Sequence, residues 1–128
     1  MEHTLFSDGN QKRISWIIQS NDSSDDEIEK REHVEQYLDK VTNEQSKYIA
    51  LHVGIFWGIG RFVIQNGDTV NVMLDSKSMY KHLSEDNESP DEFIEKRTWY
   101  LKDLIAQRKL NIKYHLINPK DDLATKLL

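Results

Sequence analysis

The sequence predicts an α/β domain in which a mixed five-stranded sheet carries helices packed on it. Strand patterns joined by tight-turn residues fill the first third of the chain. One long apolar helix follows, and strand and helix patterns then alternate to the end. The order read from the residues is β-β-β-α-β-α-α-β-α, and hairpins followed by such alternation call for a sheet with both antiparallel and parallel neighbours.

The first two elements read as a hairpin. "HTLFSDGN" (3–10) is a short strand running into a turn at Asp8-Gly9, and "KRISWIIQS" (12–20) sets Ile14, Trp16 and Ile18 against polar neighbours. "NDSSDDE" (21–27) is acidic and turn-rich, and so a loop. In "IEKREHVEQYLDKV" (28–41) Val34, Gln36 and Leu38 alternate with Glu35, Tyr37 and Asp39, which indicates a third, solvent-facing strand. A helix is the rival reading there, because Val34, Tyr37, Leu38 and Val41 also fit a 3.6-residue period.

Thr42 and Asn43 are good helix caps and Glu44 complements the positive end of the helix dipole, so a helix is expected from about 44 to 65. Its apolar residues, from Tyr48 to Ile64, point in nearly every direction, which predicts a central helix covered on most sides. Gly54, Gly58 and Gly60 each cost roughly 1 kcal/mol relative to alanine in a helix, and their presence predicts close approach to a neighbouring element.

"NGD" (66–68) stops that helix, and "TVNVMLD" (69–75) alternates Val70, Val72 and Leu74 with Asn71 and Met73 as a strand. A short helix then carries Met79, Tyr80 and Leu83. The acidic "SEDNESPDE" (84–92) leads through Pro90 into a helix from about 91 to Lys109. "NIKYHLI" (111–117) alternates as the last strand, and "NPKDDLATKLL" (118–128) reads as a terminal helix. Trp16, Trp57 and Trp99 have apolar, periodic neighbours and are read as mainly core rather than as base-stacking platforms.

Composition narrows the chemistry. A length of 128 residues suits one domain, 1–128, and 38% apolar with 30% charged residues suits a folded, soluble chain. There are no cysteines, which excludes disulfides and thiolate metal sites; any metal is held by oxygen or imidazole, favouring Mg2+ or Mn2+ over structural zinc. The first residues lack a signal pattern, and the longest apolar helix is broken by His52, three glycines and Arg61. The expectation is an intracellular, soluble (cytoplasmic) protein without a membrane partner. A net charge of −5 gives no global attraction to phosphate backbones, so nucleic-acid binding requires a local basic patch.

Four stretches together resemble the ribonuclease H type 1 family. "LFSDGN" is similar to its first strand ending in Asp-Gly, and "TNEQSKYIAL" to its helix opening "TNNxAEYxAL". "VNVMLDSKSMYKHL" resembles "VxVxxDSxxVxxxL", and "YHLINPKDDLATKLL" resembles its closing histidine, loop and "ADxLA" helix. The resemblance spans essentially the whole chain and implies a ribonuclease H-like sheet, an RNA/DNA hybrid ligand, and two divalent metals held by four carboxylates. Such metals activate water and steady the leaving oxygen about 3.5–4 Å apart.

Asp8 and Asp75 match the first and third carboxylates and are the candidate catalytic and metal-holding residues implied. Taken singly, Asp8 also suits an Asp-Gly turn and Asp75 a helix cap. The other two slots depart from the pattern: Lys47 stands in place of the helix glutamate and, ungapped, Thr125 in place of the last aspartate. An ammonium there opposes cation binding. Glu44 and Asp121 lie one turn before those slots on the same faces, and a shortened loop offers Asp122 instead. One turn is about 5.4 Å, however, and metal–oxygen distances tolerate only a few tenths of an ångström, so substitution in place needs a shifted helix. His115, ten residues before Thr125, matches the family's mobile histidine, with an ordinary strand-end histidine as the plainer reading.

Asn43 matches the family's asparagine at the hybrid's minor groove, although a helix cap would look the same. Lys12, Arg13, Lys77 and Lys81 flank the two retained acids and are candidate phosphate contacts; solvated surface charge explains them equally well. The family's basic handle is replaced by "SEDNESPDE". Three functions follow: a nucleic-acid-binding domain with weakened or lost hydrolysis, an active Mg2+-dependent hybrid nuclease using displaced carboxylates, or a protein-interaction domain that has left nucleic acid altogether.

Overall fold

The computed structural model describes residues Met1–Leu128. Its strands are β1 (Glu2–Gly9), β2 (Arg13–Ser20), β3 (Glu27–Glu32), β4 (Thr69–Leu74) and β5 (Asn111–Leu116); its helices are α1 (Asn43–Gly60), α2 (Lys77–Ser84) and α3 (Glu92–Gln107). The five strands form one mixed sheet in the order β3-β2-β1-β4-β5. β1 pairs antiparallel with β2, and β2 with β3, whereas β4 runs parallel to both β1 and β5. The predicted α/β architecture is therefore the observed one.

The core sits between the sheet and α1. Leu5, Trp16, Ile18, Val70 and Val72 from the central strands are fully buried, as are Leu51 and Ile55 of α1. A Cβ built on Gly54 would lie 3.3 Å from Trp16, and one on Gly58 would lie 2.7 Å from Ile64 Cδ1 and 2.9 Å from Ile18 Cδ1. These two glycines let α1 approach β2, as expected. Gly60 does not: nothing lies within 4 Å of its Cβ position.

Several expectations are corrected. α1 ends at Gly60 rather than near 65, because Phe62 takes a left-handed φ of 62° and the N–H groups of Val63 and Ile64 turn back onto the Gly58 carbonyl. That reversal buries Ile64. The helix is covered on most sides, as expected, with Phe56, 64% exposed, as the apolar exception. β3 stops at Glu32, and residues 35–40 form turns tied by Leu38 N–H to the Val34 carbonyl at 2.9 Å, so neither the longer strand nor the rival helix forms. The terminal helix is replaced by two short 3-10 turns, Pro119–Asp121 and Leu123–Leu127, because the side chains of Asn118 and Asp122 each cap a new start. Trp16 is core, Trp57 is half-buried with its edge toward Trp16, but Trp99 is 62% exposed and not core.

α3 packs beside α1 through a cation. Arg97 donates to His52 Nδ1 at 3.2 Å and to the Tyr37 hydroxyl at 3.0 Å. Burial, reinforced by Arg97, pushes the His52 pKa from 6.5 down to about 4. The unfolded chain therefore binds more protons than the folded one between these values, so this group's contribution is present above pH 6.5 and lost as pH falls toward 4. Urea denaturation across that window is expected to show stability falling with pH, and His52→Gln is expected to flatten that fall relative to the parent chain.

Candidate active site

The parallel pairing of β1 with β4 sets the site. Phe6 pairs with Met73, so continuing two residues along both strands brings Asp8 opposite Asp75. Gly9 then allows α1 to close over the strand end, since a Cβ at that position would lie 2.2 Å from Ser46 Oγ and 2.7 Å from the Ser46 carbonyl oxygen. A capping box between Thr42 and Gln45 fixes where α1 begins. Lys47 follows directly on the buried Ser46 and reaches both acids.

The Lys47 ammonium donates to Asp8 Oδ1 at 3.0 Å and to Asp75 Oδ1 at 2.7 Å. Both carboxylates are almost fully buried, with side-chain exposures of 7% and 6%, against 21% for Lys47. Burial alone would lower the lysine pKa, but the hydrogen bonds and charges of Asp75 and Asp8 outweigh it and hold the pKa above the usual lysine value. Lys47 is an ammonium throughout the physiological range. The second Asp8 oxygen accepts from Thr125 Oγ1 at 2.5 Å.

Asp122 completes a cluster. One oxygen from each of Asp8, Asp75 and Asp122 lies within 4.8 Å of the others, a donor set of the kind that could coordinate a divalent metal. Burial, followed by the charge of Asp75, a hydrogen bond to it and the charge of Asp8, pushes the Asp122 pKa up to about 8. Its Oδ1 accepts from Ala124 N–H at 3.1 Å, whereas Oδ2 is buried without a donor. A proton on Asp122 resolves this, since it can then donate to Asp75. The raised pKa of Asp122 favours its protonated form, while the Lys47 ammonium holds Asp8 and Asp75. In this arrangement the ammonium is bound to two of the three acids, so a divalent cation drawing on all three would have to displace it.

No protein-family model matches the chain, and no curated protein matches it. Solved structures do. The N-terminal RNase H domain of Rv2228c from Mycobacterium tuberculosis superposes with a TM-score of 0.80 at 16% identity, over 99% of this chain and 95% of that one. The fold is that of ribonuclease H. RNase H1 from the halophilic archaeon Halobacterium salinarum gives a TM-score of 0.76 at 14% identity over 99% and 94% of the two chains. LC11-RNase H1 in complex with an RNA/DNA hybrid gives 0.70 at 12% identity over 98% and 91%.

Within this ribonuclease H-like frame the other predicted residues scatter. Glu44 is held outside the cluster, accepting from Ser76 Oγ at 2.8 Å and Ser78 Oγ at 2.9 Å. Asp121 is exposed at the end of the first 3-10 turn and lies outside the cluster, whereas Asp122 and Thr125 both reach it. His115 is exposed on β5, with Nε2 3.0 Å from Asn71 Oδ1. Asn43 is exposed at the start of α1. Lys12 pairs with Asp39 at 2.8 Å and Arg13 approaches Glu32 at 3.8 Å, while Lys77 and Lys81 are exposed on α2.

Two buried networks escaped the sequence. His33 Nε2 lies 2.9 Å from the Asn10 carbonyl and 2.8 Å from Ser46 Oγ, and because a carbonyl only accepts, that nitrogen carries the proton. It pins the β1–β2 turn to α1. Farther along, Tyr48 donates to His82 Nδ1 at 2.8 Å, and His82 Nε2 donates to Glu95 at 2.8 Å, which ties α1 to α2 and α3. His33 lies outside the matched stretches and His82 falls at an unconstrained position of one, so no local signal pointed to them.

Proposed function

We propose that this chain is a ribonuclease H-like nucleic-acid-binding domain, with RNA/DNA hybrid the favoured ligand and hydrolysis weakened or lost. One observation carries the reading: the Lys47 ammonium bridges Asp8 and Asp75 at 3.0 and 2.7 Å. It offsets charge that would otherwise repel a phosphate backbone, and it does so without a metal. Water then lacks an ion to lower its pKa, and hydrolysis loses its nucleophile. Asn43, Lys12, Arg13 and Lys77 are the proposed contacts, and the solved complex of LC11-RNase H1 with an RNA/DNA hybrid supports the ligand class. No helix is long and apolar enough to cross a membrane.

Gel shifts at graded salt with hybrid, DNA duplex and single strands test the reading, run beside a cleavage assay in Mg2+ and Mn2+. The expected result is hybrid retained ahead of duplex, weakening as salt rises, with no metal-dependent cleavage. A second reading, an active metal-dependent hybrid nuclease, is favoured by Asp122 lying beside Asp8 and Asp75. Cleavage of hybrid by the unaltered chain, abolished by Asp75→Asn, would establish it. Failure to bind any nucleic acid would favour the protein-interaction alternative.

A further inference from the structure

A basic and aromatic surface runs along the outer face of α1 and onto α3. Three clefts meet there. Phe56 and Val53 separate one bounded by His52 and Arg97 from one bounded by Arg31 and Arg61, and Arg97 joins the first to a third that includes Lys96 and Tyr100. Their volumes are about 270, 310 and 270 Å³, and no aspartate or glutamate lines any of them. That absence stands out in a chain of net charge −5. Arginine–carboxylate pairs in this protein involve Arg13 and Arg31, the latter reaching Glu29 only at 4.0 Å. Arg61 and Arg97 therefore have no acidic partner.

We propose that this surface docks an acidic segment of a partner protein that also carries large apolar side chains. Phe56 is 64% exposed and lies between two of the three clefts, which offers an apolar anchor point. The guanidinium of Arg61 lies 5.6 Å from the Trp57 ring centroid and that of Arg97 5.7 Å from the Phe93 ring. Placed against rings, these groups are held in position; the Arg61 N–H edge is open to a bidentate carboxylate, whereas Arg97 already donates to His52 and Tyr37 and contributes mainly its charge. Arginine and aromatic residues around an apolar centre are the composition of interface cores.

Trp57 and Phe93 are poor platforms for base stacking, because an arginine lies against each ring. Phe56 also follows Lys47 by nine residues, about 180° around the helix at 3.6 residues per turn, so it faces away from the carboxylate cluster. A hybrid lying across Asp8 and Asp75 would leave this surface free.

The test uses the full chain against a random dodecapeptide library displayed on phage. Recovered peptides are then synthesised and titrated by fluorescence anisotropy against the parent chain and the Phe56→Ser, Arg61→Glu and Asp75→Asn variants. Both surface side chains are exposed, so circular dichroism of Phe56→Ser and Arg61→Glu should match the parent. The expected result is enrichment of Asp and Glu flanking Leu, Phe or Trp. Affinity should weaken about tenfold or more in each surface variant, some 1.4 kcal/mol, and stay unchanged in Asp75→Asn. Three outcomes of the peptide experiment would overturn the proposal: recovery of basic or uncharged sequences or of none, indifference of binding to both surface substitutions, or competition for the same residues by oligothymidylate. A concentration-dependent dimer in sedimentation, abolished by Phe56→Ser, would overturn it in favour of a second copy of this chain.

Discussion

Lys47→Glu is expected to make the cluster bind Mn2+ more tightly than the parent chain does. The substitution removes an ammonium lying 3.0 Å from Asp8 and 2.7 Å from Asp75, and puts a carboxylate beside a cluster that already contains Asp122. Without metal the variant should be markedly less stable, because breaking a buried ion pair costs about 3–5 kcal/mol and the new charge adds repulsion. Lys47 keeps 21% of its side chain exposed, which favours the lower end of that range. Added Mn2+ should reverse the loss, by about 2.7 kcal/mol once the ion exceeds its dissociation constant a hundredfold. Thermal melts with and without Mn2+ read this directly. Hybrid cleavage should appear with the metal in Lys47→Glu and vanish when Asp75→Asn is added. A folded Lys47→Glu chain that ignores Mn2+ would show that the carboxylates do not converge as described.

Gly9→Ala is expected to be the most damaging single methyl addition in the chain. The new Cβ would fall 2.7 Å from the Ser46 carbonyl oxygen and 2.8 Å from its carbon, and backbone cannot rotate away as a side-chain tip can. Overpacking typically costs about 1–3 kcal/mol, and a clash with the backbone of a central helix belongs at or above the upper end. Relief requires α1 to move off β1, which also lengthens the reach from Lys47 to Asp8. Gly60→Ala is the contrasting case. Nothing lies within 4 Å of that position and its φ is not positive, so the methyl should stabilise the chain by about 0.4–1 kcal/mol by restricting the unfolded state. Chemical denaturation of the two variants should move the midpoint in opposite directions.

Strand periodicity was legible wherever one face of a strand is buried and the other is not, as in β4 with Val70, Val72 and Leu74 inside. The same rule failed for residues 33–41, where Val34 and Leu38 are exposed and alternation carries no packing information. Trp99 misled in the opposite direction, since apolar neighbours within α3 do not say which way that helix turns its face. Asp8 and Asp75 could be paired before the structure only through the resemblance to ribonuclease H type 1, because a turn residue and a helix cap look the same when taken singly. The choice between Asp121 and Asp122 could not be made, because it depends on where a 3-10 turn restarts at the cap residue Asp122 itself. Lys47 was legible as a charge in the wrong slot. That it grips both acids at once, and that Thr125 donates to Asp8, required the helix, the sheet and the terminal turn in their places.

The central claim is that a lysine occupies the electrostatic position a divalent ion would otherwise take between Asp8 and Asp75. Calorimetric titration of Mn2+ into the unaltered protein at neutral pH tests it most directly. The account predicts no saturable heat up to about 1 mM ion, a concentration at which a site worth roughly 4 kcal/mol would be half filled. Two saturating sites, both lost in Asp75→Asn, would contradict it.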